Sequence, residues 1–296
     1  MKILAVGYKF LYKGLVLPNY FLSMCSYLKS EGHIVDIRHP ADLTMSIFKQ
    51  YDFVLNVDSG RNEEGVHSFI DYIPPIPSAV YFIDSHGQPD LHKSLANNFN
   101  HVFFAVWNKR DLFDPKKSSW LPNFTDLHWF SKYKYDNEIK YDFGFFGTKM
   151  GLARAEPLKE ICDKLNLSYD IRQINKPWKP RWPHTAEAMS VCRYFYNRGQ
   201  KHDGPNLRVL ESMAMGRPLL TDLDPSDGMS KIFEEGKHFI GYKRDNSDLE
   251  DRVKFIVDPK NKQYLDTVAD AAYEEVEKNH TVTSRVKQIL ETIKDL

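Results

Sequence analysis

The sequence predicts an α/β protein built from two doubly wound, Rossmann-like halves with parallel sheets and a helical C-terminal segment. Three observations lead there. The chain has 296 residues, more than one compact core ordinarily organises, so two domains of roughly 130–160 residues each are expected. Short β-branched and aromatic runs alternate with helical stretches, the pattern of parallel strands joined by crossover helices. That rhythm breaks over residues 107–140, which carry Pro115, Pro122 and many aromatic and charged positions, and then starts again.

In the first half, residues 3–6, 33–37, 53–57, 79–84 and 101–106 read as strands. Between the first two, Tyr20, Phe21, Met24, Tyr27 and Leu28 fall at helical spacing, and Glu31-Gly32 ends the helix. This is a βαβ unit, and the nearly continuous apolar strands require helices on both faces. The second series begins with a strand at 141–147, a helix near 152–165, and strands at 169–174 and 192–196. Pro205 then opens a helix that Gly216 closes, 218–221 forms the next strand, and 248–296 holds two or three helices. The expected domains are residues 1–135 and 136–275, with a helix at 276–296 packing back toward the first. Two facing domains of this kind enclose a cleft.

Lys plus Arg and Asp plus Glu stand at 40 each, so no overall field draws the chain to nucleic acid or an acidic membrane. Cys25, Cys162 and Cys192 lie far apart without CxxC spacing, which argues against a disulfide framework or structural zinc and for reduced thiols in the cytoplasm. Lys9 and Lys13 interrupt the apolar N-terminal run, which therefore reads as a first strand and not a secretory signal. Nowhere do about 18 apolar residues follow one another, so no spanning helix is predicted and a soluble protein is expected.

The segment from residue 197 to 218 carries the most chemical information. Asn197, Arg198 and Gly199 end a strand, and a polar loop through Asp203, Gly204 and Pro205 leads to Asn206, Leu207 and Arg208 at a helix start. Open α/β sheets bind ligands beyond the carboxyl ends of their strands, and backbone N–H groups at a helix start attract phosphate. Arg208 is a cation where a first turn favours an acid, which suggests an anionic neighbour; an exposed arginine is the plain alternative. Glu211 offers a carboxylate able to accept both hydroxyls of a ribose, or is a surface glutamate. Asp222-Leu223-Asp224 has metal-binding spacing but reads as a solvated turn and helix cap before Pro225.

In the first half, Gly7 and Gly14 bracket the loop after the first strand without the GxGxxG spacing of a dinucleotide site. Asp84-Ser85-His86-Gly87 ends an apolar strand. A histidine there can take a proton from a hydroxyl or hydrogen-bond a sugar, and Asp84 can orient His86 or act in its place. A hydrogen-bonded strand-end histidine beside a turn aspartate is the alternative. Residues 175–184 mix Lys176, Lys179 and Arg181 with Trp178 and Trp182. Such a mixture stacks single-stranded nucleic acid or forms a stiff loop packed on its domain, and the zero net charge favours the loop.

The run DGPNLRVLESMAMGRPLLTD at 203–222 resembles the GT-B glycosyltransferases of the CgeB-like, spore-maturation group, related to the group-1 glycosyltransferases. YDFGFFGTKMGLARAEPLKEI at 141–161 is similar to the strand, glycine turn and basic helix that open the donor domain in that group, and HTVTSRVKQIL at 280–290 to its closing helices. The likeness covers residues 141–290, and the first half only in general pattern. It implies retaining transfer of a hexosyl or pentosyl unit from a nucleoside-diphosphate sugar, a UDP-sugar foremost, to a hydroxyl acceptor, without metal or other cofactor. The acceptor is a glycan, a protein, a small molecule or modified DNA.

By the same resemblance Glu211 holds the nucleotide ribose. Asp203 stands seven intervening positions earlier, where the wider family usually has Glu, and lies near the donor sugar. Residues 204–208 approach the diphosphate. Gly147, Lys149 and Arg154 line the donor phosphates and neutralise the leaving group. Gln173, with Arg172 and Ile174, meets the base, and Gly7 brings backbone close to both substrates. Two other readings stay open: a phage-type transferase acting on hydroxylated DNA bases, and a non-catalytic nucleotide- or glycan-binding scaffold.

Overall fold

The computed structural model describes residues 1–7, 11–12, 15–16, 19–57, 69–85, 87–147, 149–173, 181–199, 205–224, 226, 228–294 and 296. The chain divides into two compact units, Met1–Asn123 with Val282–Leu296, and Phe124–Thr281.

The first unit runs β1 (Lys2–Val6), a short antiparallel pair β2 (Leu11–Tyr12) and β3 (Leu15–Val16), α1 (Tyr20–Ser30), β4 (Ile34–Arg38), α2 (Met45–Phe48) and β5 (Phe53–Val57). It continues with β6 (Ser78–Phe82), α3 (Pro89–Ala96), β7 (His101–Phe104) and β8 (Ser118–Trp120). Among the described residues its main sheet has the order β4-β1-β5-β6-β7-β8, with every pair parallel. β5, β6 and β7 are buried at every position, which is why they read as unbroken apolar runs without period-two alternation. Leu4, Val54, Val80, Phe82, Val102 and Phe104 share one core with Phe48, Phe69 and Phe99. Asn56 is buried among them because both ends of its amide are used, Nδ2 donating to the Val6 carbonyl (3.1 Å) and Oδ1 accepting from Ile70 N (2.8 Å). β8 lies within residues 107–140, where the sequence shows only a break in the strand–helix rhythm. A three-residue edge strand without β-branched side chains leaves no pattern to read, and Trp120 is held there by its Nε1 on the Ala105 carbonyl (2.9 Å).

The second unit runs β9 (Tyr141–Gly147), α4 (Glu156–Leu165), β10 (Tyr169–Gln173), α5 (Arg181–Ser190), β11 (Cys192–Asn197) and α6 (Leu207–Ala214). β12 (Leu219–Leu223), β13 (Ile240–Lys243), α7 (Leu249–Val257) and α8 (Lys262–Asn279) complete it. Among the described residues its sheet has the order β10-β9-β11-β12-β13, again parallel throughout. α5 occupies part of the proline-rich stretch; Pro183 sits in its first turn, where the missing N–H costs nothing. Gly216 closes α6 at φ +63, a backbone state costly to any side chain. A Cβ there would also meet the Lys132 side chain at 2.7 Å.

Thr125 pairs in parallel with Thr281, and its N–H donates to the His280 carbonyl (3.0 Å), so the outgoing and returning segments lie side by side. The chain leaves the first unit at residue 123, earlier than the expected break at 135. It returns as α9 (Val282–Ile293), which packs on α1. In α9 the Arg285 side chain is nearly fully buried; Nε donates to the Pro122 carbonyl (2.8 Å) and Nη2 to that of Asn123 (3.4 Å). Burial draws its pKa down to about 10, which still leaves it charged at neutral pH.

All three cysteines are buried thiols outside any disulfide, and burial pushes the Cys162 and Cys192 thiols up to about 12. Only the thiolate reacts. A chromogenic disulfide reagent at pH 8 should therefore leave the native protein untouched over minutes and titrate all three after unfolding. Rapid native labelling at Cys162 or Cys192 would contradict this packing. No described helix is long and apolar enough to cross a membrane.

Candidate functional site

In each parallel sheet the first strand has its sequence successor on one side and a later strand on the other. The connections therefore depart to opposite faces at β1/β5 and at β9/β11, and a crevice opens beyond the carboxyl ends of such a strand pair. In the second unit that edge is lined by residues singled out from the sequence. Gln173 lies in register with Gly147, and Asn197 with Thr221. A short 3-10 helix from Lys149 to Ala155 follows β9, and in it Arg154 donates from Nη1 to the carbonyl of Arg198 (3.0 Å). The turn after β9 and the turn after β11 are thus joined across the switch point. Asp203, Gly204 and Ile174 lie outside the described residues, as does the side chain of Lys149.

α6 begins at the same edge. Asn206 caps it, its Oδ1 accepting from Arg208 N (3.0 Å) and Val209 N (3.3 Å), while its Nδ2 donates to Asn197 Oδ1 (3.2 Å). Two first-turn N–H groups expected to face phosphate are therefore taken by the cap, and Leu207 N is the first-turn donor that Asn206 does not use. Pro205, just ahead of the cap, is buried. The Arg208 guanidinium is paired with the Glu211 carboxylate one turn on, with side chains 11% and 2% exposed. A cation in the first turn is thus partly answered from within its own helix. Glu211 is no surface glutamate; its side chain is buried and held at the wall of the core by the Arg208 guanidinium, the condition under which a buried carboxylate is tolerated.

The floor of the edge is aromatic and polar. Tyr196 and Tyr242 stack at 5.6 Å; the Tyr242 hydroxyl donates to that of Tyr196 (2.8 Å) and lies 3.2 Å from the Asn197 carbonyl. Burial raises both phenol pKa values, so both remain neutral hydrogen-bonding groups. Asn197 is itself buried and donates from Nδ2 to Thr221 Oγ1 (2.9 Å).

Asp222 corrects the reading of 222–224 as a solvated turn. It lies in β12, 5% exposed, with Oδ1 accepting from Gly199 N (2.9 Å) and Oδ2 from Arg244 Nη1 (2.6 Å). Burial pushes its carboxyl above the usual range, while the Gly199 N–H and Arg244 pull the other way. Asp224 does cap a turn, accepting from the Ser226 N–H and hydroxyl (3.0 and 2.6 Å), and stands 3.4 Å from Arg244. The Arg198 side chain turns toward the loop after β13, giving Nη1 to Asn246 Oδ1 (2.7 Å) and Nη2 to the Arg244 carbonyl (3.0 Å). Arg172 is paired with Asp170 on β10. Trp182 is buried in α5, edge-on to Phe130 at 6.3 Å, so it offers no face for a nucleobase.

In the first unit Gly7 ends β1, its N–H donating to the Arg38 carbonyl (3.2 Å). A Cβ there would meet the Phe21 ring at 3.0 Å, so the position is fixed by packing on α1. Asp84 is exposed after β6 and its carbonyl accepts from Gly87 N (3.0 Å), while His86 lies outside the described residues. A pair the sequence did not single out anchors this turn: buried Ser85 Oγ lies 3.1 Å from Nδ1 of buried His92, whose ring stacks on Phe82 at 4.2 Å.

The model of a family described as glycosyl transferase-like matches residues 158–291. No curated protein matches the chain. Among solved structures, the chain is similar over 100% of its own length and 100% of theirs to Anabaena HepE in complex with UDP (12% identity, TM-score 0.64) and with UDP-glucose (14%, 0.60). It is similar to a glycosyltransferase from Rickettsia africae over 99% of this chain and 98% of that one (12%, TM-score 0.67). Sucrose-phosphate synthase from Thermosynechococcus elongatus is covered to 99%, over 100% of this chain (9%, TM-score 0.59). At these identities the likeness is one of fold, and the fold is GT-B: two Rossmann-like units, each with a parallel sheet flanked by helices.

Proposed function

We propose that this protein transfers a glycosyl unit, hexosyl or pentosyl, from a nucleoside-diphosphate sugar to a hydroxyl acceptor, with a UDP-sugar as the foremost donor. The observation that carries the reading is the β9/β11 switch point, where Gly147, Arg154, Asn197 and α6 with its buried Arg208–Glu211 pair meet at one carboxyl edge. The family match over 158–291 and the UDP and UDP-glucose complexes of HepE support it.

In this reading Glu211 accepts the ribose hydroxyls. Arg208 engages Oε2, and a carboxylate has about four lone-pair sites, so the hydroxyls are accepted alongside the arginine. Leu207 N, Gly147 and the cations Lys149, Arg154 and Arg208 hold the diphosphate, and Gln173 meets the base beside Gly147. The acceptor oxygen bonds to the anomeric carbon as the bond from that carbon to the diphosphate oxygen breaks. In the retaining course the acceptor proton passes to the leaving phosphate. Arginine and lysine side chains supply the counter-charge that a divalent cation would otherwise give, and the transfer is proposed to be metal-independent. Asp203 is assigned to the donor sugar, and Asp84 and His86 to hydrogen bonds with the acceptor. Buried thiols suit a reducing compartment, and we place the enzyme in the cytoplasm.

Titration with UDP, GDP, ADP, CDP and dTDP in the absence of metal tests the reading through thermal stabilisation. A ligand at 100 times its Kd stabilises by about 2.7 kcal/mol. A selective shift with one nucleotide, UDP first, is expected; a folded protein that none of the five stabilises would contradict the proposal.

A further inference from the structure

The geometry points to Asp222 and Arg244 as a positioning pair for the donor site, fixing the turn after β11 without touching the nucleotide. The inference rests on the donor-site reading above. Residues 198–199 follow β11 and precede Asn206 in the chain, and their polar backbone groups are held by side chains from three other segments. Arg154 takes the carbonyl of Arg198 (3.0 Å), Asp222 takes the N–H of Gly199 (2.9 Å), and Arg244 Nη2 reaches the carbonyl of Gly199 (3.4 Å).

The hold is reciprocal. Arg244 reaches forward to Gly199 and Asp222, while Arg198 reaches back to the Arg244 carbonyl and to Asn246. Asn246 presents its amide from a left-handed backbone at φ +63, a state asparagine adopts more readily than most residues. Each arginine thus braces the loop that carries the other. Asp222 aligns Arg244 through the 2.6 Å contact of Oδ2 with Nη1, with the carboxylate 3% exposed and the guanidinium 31%. The arrangement serves orientation: a carboxylate near a diphosphate site repels the ligand, and one that, unlike Glu211, is engaged by Arg244 and the Gly199 N–H has its use there in holding those groups in place.

That repulsion gives the test its sign. If Asp222 acted on the ligand only through its charge, Asp222→Asn would tighten UDP binding. As a positioning residue its neutralisation releases Arg244 and weakens UDP binding about 10-fold, the effect of losing one charge-assisted hydrogen bond worth about 1.5 kcal/mol. Calorimetric titration of UDP into wild type, Asp222→Asn, Arg244→Lys and the double variant is the measurement. Each single variant is expected to bind more weakly, and the double no more weakly than the worse single, because the two residues act as a unit. Unchanged or tighter binding by folded Asp222→Asn would overturn the inference. If that variant does not fold, Arg244→Lys decides, since lysine lacks the planar fork that takes Asp222 through Nη1 and the Gly199 carbonyl through Nη2; unchanged affinity there has the same force. Amide exchange at Gly199 is a readout independent of ligand: it should quicken in both variants, and unchanged exchange would sink the inference whether or not UDP binds. Glu211→Gln in the same series keeps the two claims apart. Loss there with no loss in the Asp222 and Arg244 variants removes the positioning pair alone, and no loss there removes the donor-site reading.

Discussion

Glu211→Gln should weaken nucleoside-diphosphate binding by roughly 10- to 100-fold while leaving the protein folded. The magnitude follows from hydrogen bonds to a charged acceptor, about 1.5–3 kcal/mol, which the ribose hydroxyls lose when the carboxylate becomes an amide. Glutamine is the diagnostic substitution because Glu211 is 2% exposed and paired with Arg208. Its amide oxygen still accepts from the guanidinium, whereas Glu211→Ala would strand a buried cation and cost about 3–5 kcal/mol of stability. A loss of affinity in Glu211→Ala alone would confuse the site with the fold. Wild-type affinity in Glu211→Gln would show that the carboxylate makes no contact with the nucleotide.

Arg285→Met should destabilise the first unit by about 2–5 kcal/mol, because one or two buried carbonyls lose their donor at about 1–3 kcal/mol each. The carbonyls are those of Pro122 and Asn123, where the chain leaves the unit, and Tyr81 adds a bond from its hydroxyl to the neighbouring Leu121 carbonyl (3.0 Å). Methionine keeps the apolar stem and removes the fork of donors, so lost packing contributes little. The denaturant midpoint should fall while nucleotide affinity holds, since the donor-site residues belong to the other unit. A change within about 0.5 kcal/mol would place Arg285 among ordinary surface positions.

The elements legible in the sequence are those whose burial is uniform or periodic. β5, β6 and β7 are apolar throughout because both faces are covered. α6 announces itself by Pro205, the Asn206 cap and Gly216. The three-residue β8 and the helix α5 inside a proline-rich stretch lack any such pattern.

At the site, the loop from Asn197 and α6 with Glu211 were legible because phosphate-binding chemistry follows local order along the chain, from strand end to helix start. The brace around it was not. Asp222 meets Arg244 across 22 positions and Arg198 meets the Arg244 carbonyl across 46. Such pairs exist only after parallel strands have brought their carboxyl ends together, and no local window of sequence contains both partners. The ion pair that answers Arg208 is of the other kind. Its partner, Glu211, lies only three residues on, and an i,i+3 acid–base pair within a helix is a pattern a sequence does display.

The central claim is that a sugar nucleotide binds at the carboxyl edge of the second sheet, and a crystal structure of the protein with UDP tests it most directly. The account predicts the ribose hydroxyls within hydrogen-bond distance of Glu211 and the diphosphate beside Leu207 N and Gly147. UDP bound elsewhere, with Glu211 contacting only Arg208, would contradict it.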